Sequence, residues 1–107
     1  MRMGFILTKT PGEQGFQSFL KFIDIYLGKA ALSIYLLGNG VYFARNGHHE
    51  LAKFHTILNQ ARIIASLDDL QARGIKKEQL ISGVETFENY DDFVLFLMED
   101  LDQVLSF

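Results

Sequence analysis

The sequence predicts an α/β domain, a three-layer α/β/α arrangement around a mostly parallel sheet of about five strands. Three observations predict it. Short apolar runs alternate with stretches of helical period along the whole chain. Several runs are apolar at consecutive positions, as strands buried on both faces are. Glycine, asparagine and the single proline fall where one period gives way to the other. The 107 residues form a single domain, 1–107, with no internal repeat, low-complexity tract or linker.

Taken in order, Met3 to Thr8 reads as the first strand, central in the sheet, followed by the turn Thr10-Pro11-Gly12. From Glu13 the period changes. Phe16, Phe19, Leu20, Ile23, Tyr26 and Leu27 make one helical stripe, and Gly28 stops the helix. Phe22 and Ile25 fall outside that stripe, so part of a second helix face is expected to meet a neighbouring molecule. Ala31 to Leu37 is the second strand, ending at Gly38-Asn39-Gly40, and Val41 to Ala44 begins a short helix or turn broken by Asn46-Gly47. His48 to Gln60 is a further helix, with Leu51, Phe54, His55 and Leu58 on one side.

Ala61 to Ala65 is the third strand. Ser66 then caps a helix that opens on Asp68 and Asp69 and closes at Gly74; Ser66 and Asp69 have capping-box spacing. Lys76 to Ile81 reads as a polar helical turn, and Gly83-Val84-Glu85 as a short fourth strand. Asn89 or Asp91 caps a last helix bearing Phe93, Val94, Phe96, Leu97 and Leu101. Gln103 to Phe107 is the final strand. The β-α-β alternation places helices on both faces of the sheet.

Composition narrows the functional classes. The formal net charge is −3, which gives no general attraction for phosphate backbones or anionic lipid, so direct nucleic-acid binding is not expected. No run approaches the roughly 18 apolar residues of a membrane span. The opening MRMGFILTKT lacks a signal-peptide cleavage site, and a cytoplasmic location is expected. Ten phenylalanines and four tyrosines are more aromatic surface than one small core readily hides, which predicts an oligomer. The chain has no cysteine, hence no disulfide, thiolate zinc site or thiol nucleophile.

The candidate chemistry is sparse. The loop Thr8 to Gly15 carries hydroxyls, glycines and Lys9 ahead of a helix, as a phosphate loop would, but it matches neither a Walker sequence nor the dinucleotide fingerprint. Glu13 at the helix start would repel a phosphate. His48 and His55 are seven residues apart, wider than the i, i+4 pair of a helical zinc site, so His48 and His49 read as an interface pair or as donors to a bound anion. Asp68 and Asp69 point about 100° apart around a helix and cannot form a facing acid-base pair. No GxSxG elbow surrounds Ser66. No catalytic residue, metal site or cofactor is therefore nominated.

Four segments resemble the DsrE/DsrF/DsrH superfamily of small sulfur-relay proteins, which includes the TusB, TusC and TusD subunits of the tRNA 2-thiouridine relay. Phe5 to Gly12 is similar to the family's first strand and loop. Gly38-Asn39-Gly40-Val41-Tyr42 is similar to its (G)DGVY segment, with Asn39 in place of Asp. Asp69-Leu70-Gln71-Ala72-Arg73-Gly74 is similar to the DLxARG segment of the DsrH/TusB branch, and Asp102 to Phe107 to the closing D-x-V-L-x-F strand.

In the DsrE/TusD branch a cysteine eight residues before the helix-ending glycine carries persulfide sulfur, and here that position is Ser66. A serine hydroxyl does not form the thiolate that reversible sulfur transfer needs. The resemblance implies a non-catalytic member: a trimer or hexamer, or a hetero-complex with DsrE/F-like sulfur carriers, serving tRNA thiolation or sulfur oxidation. It places a candidate pocket around Ser66, Thr8, Asn39, Gly40 and Tyr42. The alternative is a flavodoxin-like domain that binds a small ligand or nucleotide at the carboxyl edge of the sheet.

Overall fold

The computed structural model describes residues 2–47 and 51–107, leaving the side chains at positions 51, 96 and 98–100 outside the description. Five strands, β1 (Arg2–Leu7), β2 (Ala31–Leu36), β3 (Ala61–Ser66), β4 (Glu85–Phe87) and β5 (Gln103–Ser106), form one sheet in the order β4-β3-β2-β1-β5. Every pairing is parallel. Four helices connect them: α1 (Gln14–Tyr26), α2 (Leu51–Leu58), α3 (Leu67–Ala72) and α4 (Tyr90–Asp100). The chain steps from neighbour to neighbour through β1, β2, β3 and β4, and α4 then carries it back to the far side of β1. With right-handed crossovers, that reversal puts α4 on the opposite face from the other helices.

Side-chain alternation along the strands separates two cores. Phe5, Ile34 and Ile63 are register partners and belong to the larger core. Phe16, Phe19, Leu20 and Ile23 of α1, Phe54 and Ile57 of α2 and Leu70 of α3 close over it. One residue along, the row Ile6, Tyr35 and Ile64 faces the other way, where Phe93 of α4 packs on Tyr35 at 4.9 Å between ring centroids.

The predicted α1 stripe is therefore the buried one, while Phe22 and Ile25 remain 40% and 51% exposed. Several local expectations shift. β2, buried at every position from Leu32 to Leu36, occupies the middle of the sheet; β1 lies between β2 and β5. The helix expected from Val41 begins three residues earlier, as a 3-10 helix over Gly38–Ala44. The fourth strand lies at Glu85–Phe87, two residues later than expected, because Gly83 adopts a φ of +99° in a turn packed against Leu58. The polar turn expected at Lys76 to Ile81 is a 3-10 helix over Lys77–Gln79.

Candidate functional site

The motif-bearing segments meet at the carboxyl ends of β2 and β3. Ser66 is the last residue of β3 and the N-cap of α3; it is 1% exposed, and its Oγ accepts the backbone N–H of Asp69 at 3.4 Å. The capping role expected of Ser66 is the one the structure displays. The helix then turns Asp69 toward the end of β2. Its Oδ2 accepts the backbone N–H of Gly38 at 2.9 Å and the Tyr90 hydroxyl at 2.9 Å. Arg73, one turn along α3, donates to the Asp69 side chain at 3.4 Å, to the Asp69 carbonyl at 3.1 Å and to Asn39 Oδ1 at 3.1 Å.

Burial acts to raise the Asp69 carboxyl pKa, but the hydrogen bonds from Gly38, Tyr90 and Ser66 and the charge of Arg73 together outweigh it. The group is held below the ordinary aspartate value. Tyr90 moves the other way. Its hydrogen bond with Ser66 acts downward, and burial together with the carboxylates of Asp69 and Asp68 prevails, raising the phenol. The cluster therefore keeps Asp69 as a carboxylate and Tyr90 as a phenol, with no unsatisfied charge to offer a reacting group.

Of the five pocket residues predicted from sequence, Thr8 follows β1, Asn39, Gly40 and Tyr42 lie in the 3-10 helix after β2, and Ser66 ends β3. Ser66 and Asn39 are linked, through Asp69 and Arg73. Gly40 lies against Leu7 and Thr8: a Cβ there would stand 1.9 Å from the Leu7 carbonyl oxygen and 3.3 Å from the Thr8 nitrogen, so the 3-10 helix can close against β1 only with glycine. Thr8 is tied to the final strand, its backbone N–H and its Oγ1 both donating to the Phe107 carbonyl, at 2.8 Å and 2.7 Å. Tyr42 is half-buried against the larger core, with the Arg45 guanidinium 5.8 Å from its ring centroid. In the glycine-bearing loop, Glu13 Oε1 accepts the Thr10 N–H at 3.0 Å, and the Lys9 stem lies against Gly15. His48 and His49 lie outside the described residues, and His55 is exposed on α2.

Sequence reasoning took Asp69 only as a helix-start charge and passed over Arg73 and Tyr90. The signal for the first two was the i, i+4 spacing of Asp69 and Arg73 inside the DLxARG segment. Tyr90 reaches the cluster from the start of α4 and carries no local signature.

The larger opening is elsewhere. A depression of about 570 Å³ lies at the amino ends of β1, β2 and β3, bordered by Arg2, Ser33, Gln60, Arg62 and Leu101. A smaller one of about 170 Å³ lies beside Tyr35, Phe87 and Phe93. Among the described residues no helix is long and apolar enough to cross a membrane.

Comparison with known proteins gives consistent results. A family model described as DsrH like protein matches residues 11–103. No curated protein matches the chain. Among solved structures, MTH1491 from Methanobacterium thermoautotrophicum, a protein of unknown function, superposes with a TM-score of 0.84 at 15% identity, covering 97% of each chain. The ychN protein from E. coli superposes with a TM-score of 0.79 at 19% identity, covering 100% of each. At these identities the two structures speak for the fold, a five-stranded parallel sheet with flanking helices.

Proposed function

Because the chain belongs to the DsrH-like family, we propose that it is a non-catalytic, cytoplasmic subunit that serves as scaffold or accessory component of a sulfur-relay system. It works either as a homo-oligomer, a trimer or hexamer, or in a hetero-complex with DsrE/F-like sulfur carriers. The observation that carries this reading is Ser66. The residue occupies the position where the resemblance places the sulfur-carrying cysteine, in a chain that has no cysteine at all. Its hydroxyl is buried and engaged as a helix cap. Without a thiolate the chain holds no persulfide, which leaves assembly as its contribution.

Surface chemistry supports the assembly part. Phe22 and Ile25 on α1, Val94 and Leu95 on α4 and Val104 on β5 are exposed apolar side chains. Phe22 lies 5.3 Å, between ring centroids, from Phe107 beside the edge strand β5, so the apolar surface of α1 continues toward an open sheet edge.

Two measurements test the reading. Native mass at micromolar concentration should be that of a trimer or a hexamer, and a monomer refutes the assembly claim. Affinity capture from the native host should recover a sulfurtransferase or a DsrE-like subunit; recovery of neither removes the relay claim.

A further inference from the structure

The dipeptide Asn-Gly occurs twice in the chain, at Asn39-Gly40 and at Asn46-Gly47, and the fold treats the two copies in opposite ways. In this dipeptide the asparagine amide is open to attack by the backbone nitrogen that follows it, because glycine has no Cβ to screen that nitrogen. Asn59 and Asn89 are followed by Gln60 and Tyr90, whose side chains do screen it.

Asn39-Gly40 is held shut. Asn39 Oδ1 accepts Arg73 Nε at 3.1 Å, and the Gly40 N–H donates to the Leu37 carbonyl at 2.8 Å. Gly40 is also buried, with the place of its Cβ 1.9 Å from the Leu7 carbonyl oxygen. Attack there requires Asn39 to leave Arg73 and the 3-10 helix over Gly38–Ala44 to lift from β1, so the reaction waits on local opening. Asn46-Gly47 lies just beyond the end of that same helix, and both residues are exposed. Its upstream side is anchored: the Asn46 N–H donates to the Gln79 carbonyl at 2.7 Å, and Arg45 bridges to Leu80. Gly47 then turns with a φ of +94°, and among the described residues nothing lies within 4 Å of the place of its Cβ. The attacking nitrogen and the amide it attacks therefore stand on the open surface.

We propose that Asn46 is a site of self-modification, its side-chain amide converting through a cyclic imide to aspartate and isoaspartate. The Gly47 nitrogen gives its proton to water and bonds to Asn46 Cγ; the Cγ–Nδ2 bond breaks and ammonia leaves. Water then adds to either carbonyl carbon of the imide and opens it. One opening gives aspartate, and the other gives isoaspartate, in which the main chain runs through the former side chain. Water is the sole reactant consumed, and nothing is oxidised or reduced. The product adds a negative charge to a chain at −3, and the isoaspartyl form lengthens the main chain by a methylene just after the N–H that Gln79 holds. The result is an age-dependent mark on the seam between the two 3-10 helices, and it stands apart from the sulfur-relay reading.

The test is incubation of the purified full chain at physiological temperature and mildly alkaline pH, followed over time by mass spectrometry of tryptic peptides, which cleavage at Arg45 separates into one for each asparagine. Isoaspartate is counted by enzymatic methyl transfer to the peptides. The Asn46 peptide should gain the mass difference between an amide and an acid roughly tenfold or more faster than the Asn39 peptide, whose reaction needs local opening. Isoaspartate should appear at position 46, and in urea that unfolds the chain the two rates should converge. Conversion at Asn39 as fast as at Asn46 in the folded chain, no conversion at Asn46, a product there with aspartate alone, or a rate difference undiminished in urea would overturn the proposal.

Discussion

At the carboxyl ends of the strands the polar groups are turned on one another. Asp69 takes the Gly38 N–H, the Tyr90 hydroxyl and Arg73; Arg73 in turn holds Asn39, and Thr8 holds Phe107. At the amino ends, by contrast, Ser33 and two arginines border an open depression. In α/β sheets the carboxyl end is where ligands are normally received. Here the residues that carry the family resemblance complete that end from within, and the larger opening lies at the other. The motif-bearing segments therefore act first as a lock that joins β2, α3 and the start of α4.

The sharpest way to break that lock is at Gly40. In Gly40→Ala the new methyl group collides with the Leu7 carbonyl, which is backbone and cannot rotate away. A loss of about 3 kcal/mol or more is expected in chemical denaturation, large enough that much of the protein could fail to fold. A loss below about 1 kcal/mol would show that the 3-10 helix can lift off β1.

Asp69→Ala comes next. It leaves the Gly38 N–H and the Tyr90 hydroxyl without their acceptor and removes the side-chain contact of Arg73, which keeps the Asp69 carbonyl and Asn39, for a cost of about 2 kcal/mol. The same carboxylate sets a pH dependence. Its folded-state pKa lies below the unfolded value, so its contribution is complete above the unfolded pKa and is lost as pH falls through the folded one. Urea midpoints measured from neutral to strongly acidic pH should fall less steeply for Asp69→Asn than for the natural chain; parallel curves would remove Asp69 from the centre of the network.

Ser66 separates cap from chemistry. Ser66→Ala should cost about 1 kcal/mol, the usual value of a helix cap. Ser66→Cys places a buried thiol at the N-cap of α3 next to the Asp69 carboxylate, where burial and that carboxylate oppose the helix N-terminus and raise the thiol pKa above the value the helix end alone would give. Alkylation rates across pH should report that elevation, and adding Asp69→Asn should lower it. A thiol pKa in Ser66→Cys that Asp69→Asn leaves unlowered would mean that the carboxyl end still welcomes a sulfur anion.

The smallest effect belongs to the amino end. Arg62 and Glu85 are about half exposed, so Glu85→Gln should change stability by less than about 0.5 kcal/mol despite the two-point contact. A loss several times larger would make the wall of the depression part of the stability core.

Most of the fold could be read before the structure. Ile6, Leu7, Ile63 and Ile64 announced strands buried on both faces, and Phe16, Phe19, Leu20 and Ile23 announced the inner face of α1. Both signals are local: a period of two or 3.6 appears in consecutive residues wherever one side of an element is buried. Gly83 misled by two residues because it adopts a φ of +99° in a turn beside Leu58 of α2, which a reading of neighbouring residues does not reveal. The site was less legible for the same kind of reason. Ser66 and Asn39 were visible as a cap and a turn residue, whereas their connection runs through Asp69 and Arg73 to a backbone N–H 31 residues away and a tyrosine 21 residues away.

The sequence by itself determined the alternation of strands and helices, the absence of any cysteine and the cap at Ser66, because each is a property of composition or of neighbours along the chain. Strand order, the return of α4 across the second face, the closure around Asp69 and the depression at the amino ends of the strands were decided only by the tertiary structure. Each depends on which distant segments the crossovers bring side by side, and no local period encodes that.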